Sequence, residues 1–278
     1  MRVLSLGGVI GLIIVLGLIV VALVGSALYG VDPGRQQLTA RLQPPVLWGG
    51  SSAHPFGTDA LGRDLLARVL AGARISLIVG VVATAVAGAI GITLGLIAGY
   101  AGRLLDRLIS FVVDVQMAVP FVVIAIGVVA VLGNTLVNVI AVLALTGWVG
   151  YARIVRLEVM ALRRAPFAEA ARAIGASPAR ILVRHLLPNV AGSIIVIGSQ
   201  QVAAMILYEA ALSYLGLGVP SNYITWGRMV ADGQTTLMNA WWVSTVPGIA
   251  IALTILGLNV LGDWLRDVLD PATHRRRV

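Results

Sequence analysis

The chain has no cysteine in its 278 residues, which excludes disulfides, thiolate metal sites and cysteine nucleophiles without identifying a compartment. Lysine is missing as well, since all 20 basic residues are arginine. The phosphate-binding Walker loop needs lysine before Ser or Thr, so an ATP site of that type is excluded and any dependence on ATP has to come from a partner. Charge is scarce: Asp, Glu, Lys and Arg make up 12% of residues, against about 25% in an ordinary soluble domain. With a mean hydropathy of +0.96, a soluble fold has no means of hiding the apolar surface.

Long apolar runs are what the chain does have. Residues 3–31, 75–102, 115–152, 185–208 and 233–262 carry no Asp, Glu, Arg or Lys, and each is long enough for the roughly 20-residue helix that crosses a bilayer. The turn-forming Gly133-Asn134-Thr135 divides the third run. The expectation is an all-α polytopic membrane protein with six spans, near residues 5–28, 76–99, 108–131, 136–155, 190–213 and 242–262. The first run exceeds the 7 to 15 residues of a signal-peptide core and is read as a retained helix.

The net charge of +8 comes from arginines dispersed between spans, a pattern of membrane topology rather than of a nucleic-acid surface. Between the fourth and fifth spans stand Arg153, Arg156, Arg163, Arg164, Arg172, Arg180 and Arg184 against Glu158 and Glu169. That segment is expected on the cytoplasmic side, together with both termini, the Arg103/Arg107 loop and the Arg275-Arg276-Arg277 tail. Arg35, Arg41, Arg63, Arg68 and Arg74 in the first external segment run against the bias, partly offset by Asp32, Asp59 and Asp64. The resulting division is a first helix over 1–30, an external segment with a short helix over 31–74, a core domain of five spans over 75–263 with a loop at 156–188, and a tail over 264–278.

Ala87, Gly91, Gly95 and Gly99 recur every four residues, a small-residue face that lets another helix approach closely; a glycine-lined path is the alternative. Pro166 suits a first helical position, Glu169 complements the dipole of the first turn, and Gly175 suits a left-handed stop. Ser177 then reads as an N-cap and Pro178 as the start of a second short helix ending before Leu187-Pro188. From the residues alone this pair reads as a passive amphipathic linker ahead of an element that transmits force. Asp114 falls inside the third span and Glu209 near the end of the fifth. Asp114 is a candidate pathway group or an arginine partner, and Glu209 an interfacial salt bridge. Trp241 and Trp242 suit an aromatic belt. A secondary transporter and an intramembrane hydrolase using Asp114 with Asp263 are the competing functions.

Glu169-Ala170-Ala171, with Gly175 four residues on and Leu187-Pro188 beyond, resembles the EAA loop of ABC importer permeases. Three further stretches are similar to the dipeptide and oligopeptide branch of that family: His54-Pro55-Phe56-Gly57-Thr58-Asp59, Glu209-Ala210-Ala211-Leu212-Ser213-Tyr214-Leu215-Gly216, and Asn259 through Pro271 with its Gly262-Asp263-Trp264. The resemblance implies a type I importer permease in the cell membrane, not an enzyme, whose loop residues Pro166, Phe167, Glu169, Ala170, Ala171, Gly175 and Pro178 couple to an ATPase. It also implies a second homologous permease, two ABC ATPase subunits that hold the ATP and Mg, an extracytoplasmic solute-binding protein, and surrounding lipid. No cofactor is expected in this chain. Dipeptides, longer peptides, nickel chelates, glutathione and haem are the solutes open to such a subunit.

Overall fold

A computed structural model describes residues 6–269. The flanking Arg2, the Asp270-Pro271 end of the closing motif and the Arg275-Arg276-Arg277 tail lie outside the described residues. Within them the fold is helical, with a single isolated β-bridge between Thr58 and Asp64. Five helices are long and apolar enough to cross a membrane: α1 (Leu6–Tyr29), α2 (Leu65–Tyr100), α5 (Leu136–Leu162), α7 (Pro178–Tyr214) and α9 (Trp242–Leu269). Between them lie α3 (Arg103–Ala118), α4 (Phe121–Leu132), the short α6 (Pro166–Ala173) and α8 (Trp226–Gly233).

The third expected span, 108–131, is not one helix. α3 and α4 are bent by 87° at the Val119-Pro120 break. Pro120 has no N–H to continue the ladder and clashes with the preceding turn, and the residue before a proline is driven out of the α region. Val119 accordingly sits at φ −96°, ψ 120°, and α4 restarts with the Val123 N–H donating to the Pro120 carbonyl at 3.0 Å. A second expectation also fails: no helix ends at Leu187-Pro188. α7 runs through it because Ile181–Leu186 is π-helical, with the Leu187 N–H donating to the Leu182 carbonyl. The wider turn absorbs the proline, and Asn189 Nδ2 donates to the His185 carbonyl at 2.6 Å. α2 begins at Leu65 rather than near residue 76, capped by Asp64, whose Oδ1 accepts from the Ala67 N–H at 2.7 Å.

α2 is the central helix, packed on α5 and α7, with α9 against α7 and α1 against α9. In lipid the hydrophobic effect does not drive helices together, so close van der Waals fit has to. The α2–α5 seam achieves this through a register of carbonyls opposite glycines. A Cβ on Gly95 would stand 2.8 Å from the Ala152 carbonyl oxygen and one on Gly99 2.8 Å from that of Arg156, while one on Gly91 would collide with that of Trp148. Ala87 is fully buried on the same face. Because both sets advance by four in the same sense, α2 and α5 run parallel.

Residues 30–64 close the end of the bundle remote from α6, with two 3-10 turns, Leu38–Ala40 and Val46–Trp48, where one short helix was expected. Asp59 is buried and organises this cap: its Oδ1 accepts from the Leu61 and Arg63 N–H groups, and its Oδ2 pairs with Arg63 Nε at 2.6 Å and Arg68 Nε at 3.6 Å. Both arginines also reach Asp232 on α8 at 3.7 Å, and Asp232 accepts from Arg228 at 2.9 Å. Trp242 Nε1 donates to the Thr58 carbonyl at 3.2 Å. The cap is thereby tied to α2, α8 and α9 by buried polar contacts.

Candidate coupling site and membrane-embedded polar groups

α6 hangs between the last turn of α5 and the first of α7. Pro166 occupies its first turn and Glu169 supplies the acidic group there. It closes in a Schellman arrangement: the Ala176 N–H donates to the Ala171 carbonyl and the Gly175 N–H to the Arg172 carbonyl, both at 3.0 Å. Gly175 sits at φ 80°, a left-handed conformation that a Cβ disfavours. Ser177 Oγ then accepts from the Arg180 N–H and caps the start of α7. Hence the direction of the chain is fixed on both sides of α6.

One side of α6 is seated and the other is open. Ala168 and Ala171 are buried, Ala171 in a cluster with Val155 and Val159 of α5 and Ile181, Leu186 and Val190 of α7. Arg163 donates to the Gly99 carbonyl at 3.1 Å, and Arg172 donates to the Arg163 carbonyl, which joins α6 to the end of α2 as well. Pro166, Phe167, Glu169 and Ala170 are exposed, as are Gly175 and Pro178, and Ile174 is 85% exposed. Phe167 and Ile174 therefore present apolar surface at opposite ends of a short rigid helix.

Asp114 and Glu209 stand in different places. Asp114 is exposed on α3 and lines a cavity of about 210 Å³ with Arg153 and Arg156. Glu209, 1% exposed, lies where α7 meets α8. The interfacial salt bridge expected of it is not formed: Ser213 Oγ donates to its Oε1 at 2.7 Å and Thr225 Oγ1 at 3.0 Å. Span-end position suggested an arginine partner, but the Thr225 cap of α8 folds a hydroxyl onto it instead. Nearby, Trp226 is buried, its backbone N–H donating to Ser76 Oγ at 3.1 Å and its Nε1 to the Val69 carbonyl at 2.9 Å. Trp241 packs edge-on between Trp48 and Trp242, with ring centroids 5.0 and 6.0 Å away.

Two charged groups were not singled out from the sequence. Asp106 takes both Nε and Nη2 of Arg156, 50 residues away, and Asp232 joins the cap cluster. For the second the signal was local: Arg228 and Asp232 stand four residues apart on α8, as do Asp59 and Arg63 in the cap.

A bundle of apolar helices with a short capped helix seated across the ends of α2, α5 and α7 defines a polytopic permease-type subunit. The family can be stated directly: the chain belongs to the binding-protein-dependent transport system inner membrane components, whose model matches residues 91–275. It is a permease subunit of an ABC importer. It is 41% identical over 266 residues to the dipeptide transport system permease protein DppC of Bacillus subtilis, covering 95% of this chain and 82% of that protein. The oligopeptide transport system permease protein OppC of Bacillus subtilis is 38% identical, over 96% of this chain and 86% of its own. The glutathione transport system permease protein GsiD of Escherichia coli is 45% identical over 223 residues, 80% of this chain and 74% of that one. Among solved structures, the inward-facing MetNI methionine ABC transporter superposes with a TM-score of 0.60 at 20% identity, over 73% of this chain and 96% of its own, a likeness of fold.

Proposed function

We propose that this chain forms, with a second permease, the membrane path for short peptides, and that α6 is the docking element through which two cytoplasmic ABC ATPases drive it. The observation that carries the reading is the seating of α6: Ala168 and Ala171 are held in the bundle while Ile174, 85% exposed, and part of Phe167, 38% exposed, face outward. A helix whose two ends are fixed to α5 and α7 passes a displacement to both. The arginine-rich end that bears α6 is cytoplasmic by charge bias, which leaves the 30–64 cap outside for a solute-binding protein. ATP and Mg reside in the ATPases. The exposed apolar residues of α3, among them Leu104, Leu108, Phe111 and Val115, suit the second permease. Peptides are favoured as solute because the relatives are named for dipeptides, oligopeptides and glutathione, which share amide bonds and free carboxylates.

The test is association and uptake at matched permease levels. Glu169→Arg reverses charge in the first turn of α6, where a cation is disfavoured by about 0.3–1 kcal/mol, and Gly175→Val puts a β-branched residue at φ 80°. Both lie outside the spans, so membrane insertion survives while ATPase pull-down and uptake fall. Normal pull-down and uptake in both variants would reduce α6 to a linker.

A further inference from the structure

A cavity of about 300 Å³ opens where α3 bends into α4, against α5 and α7. That volume lies at the lower end of the range for small-molecule sites. Its wall mixes chemistries: Arg153, Gln116, Gln201 and Thr146 supply polar groups, and Phe121 and Tyr208 supply rings whose centroids are 4.8 Å apart. Gln201 is partly committed, its Nε2 donating to the Gly147 carbonyl at 3.0 Å.

Arg153 is the unusual member. An arginine near the end of a span ordinarily extends its head toward the nearer aqueous interface. Helical side chains tilt toward the N-terminus, which for α5 points away from the α6 end and into the bilayer. Arg153 follows that tilt, its Nη1 donating to Met117 Sδ at 3.2 Å. Met117 lies eleven residues along α3 from Asp106, about 16 Å by helical rise. Asp106 is taken by Arg156, and among the described residues no carboxylate stands within ion-pair distance of Arg153. A thioether is a weak acceptor. The guanidinium, exposed in this chain, thus stands beside the cavity with most of its hydrogen-bonding capacity unused.

We infer that this cavity is a transit subsite for a carboxylate-bearing solute, with Arg153 receiving the carboxylate, Gln116 and Gln201 the adjoining amides, and the Phe121–Tyr208 pair an apolar side chain. The inference rests on the peptide reading above and adds to it which group is read during passage. A guanidinium matches a carboxylate with two parallel hydrogen bonds, and the open mouth of the cavity leaves the solute a way out. The anions competing with solute are Asp114 of α3, which lines the adjoining cavity of about 210 Å³ together with Arg153, and an acidic side chain of the second permease.

The experiment uses the complete importer in proteoliposomes, fed by its binding protein loaded with tri-alanine or with tri-alanine amide. The readout is the acid-to-amide uptake ratio divided by that of wild type, so the binding protein's own preference cancels. R153Q is expected to lower this ratio about tenfold, the scale of one charge-assisted hydrogen bond partly open to water, and R153K to restore most of it. An unchanged ratio in R153Q overturns the subsite. So does an equal loss of both peptides, which marks a structural role or a pair with the second permease. If wild type imports neither peptide although its ATPase responds to the binding protein, the carboxylate assignment falls with the peptide reading and the importer class stands.

Discussion

Gly95→Ala is the smallest change that tests how α2 and α5 are held together. The new methyl would lie 2.8 Å from the Ala152 carbonyl oxygen and 2.9 Å from Val155 Cβ, neither of which is the free end of a flexible side chain. Relief requires the two helices to separate, and overpacking of this kind costs about 1–3 kcal/mol. Alanine also gains up to about 1 kcal/mol in intrinsic helix preference, which would partly mask the clash. Gly17→Ala supplies the control, since Gly17 is helical on α1 and a Cβ there meets nothing within 4 Å. Both variants share the propensity gain, so the difference between them isolates the steric term. With roughly 2–4 °C of melting temperature per kcal/mol for a chain of comparable size, Gly95→Ala should lose monodisperse complex at a lower temperature than Gly17→Ala. Heating followed by fluorescence-detected size exclusion reads this directly. If Gly95→Ala melts with or above Gly17→Ala, the carbonyl-on-glycine seam does not limit stability.

Asp59→Asn should destabilise the cap by about 3 kcal/mol, because breaking a buried ion pair leaves Arg63 and Arg68 with only their longer 3.7 Å contacts to Asp232; protease accessibility of the 30–64 segment measures it. Trp226→Phe keeps the buried ring but removes the Nε1–H that the Val69 carbonyl accepts, so a loss of about 1–3 kcal/mol is expected from the same melting assay.

Much of this architecture was legible because the bilayer imposes one rule, that a span be a long apolar helix. The small-residue face could be read from spacing alone, and the two ends of α6 and the start of α7 from Pro166, Gly175 and Ser177, each acting within its own turn. What escaped depended on how neighbours respond. Pro120 was visible, yet hydropathy continued through it and hid a bend of 87°. Pro188 suggested a stop, but one π-turn absorbed it. Glu209 looked like an interfacial acid until Thr225, sixteen residues on, folded a hydroxyl onto it. The Arg156–Asp106 pair joins groups 50 residues apart, and no local pattern announces it.

The central claim, that α6 docks onto an ATPase, is tested most directly by site-specific cross-linking in the assembled importer. The chain has no cysteine of its own, so a single Ile174→Cys, at a position 85% exposed on the open end of α6, reports that surface alone. Leu132→Cys, 64% exposed at the C-terminal end of α4, serves as the comparison. A short bifunctional thiol reagent should join the permease to an ATPase bearing surface cysteines from position 174 and not from 132, with a yield that changes when ATP is added. No ATPase adduct from 174, or equal adducts from both positions, would contradict the account.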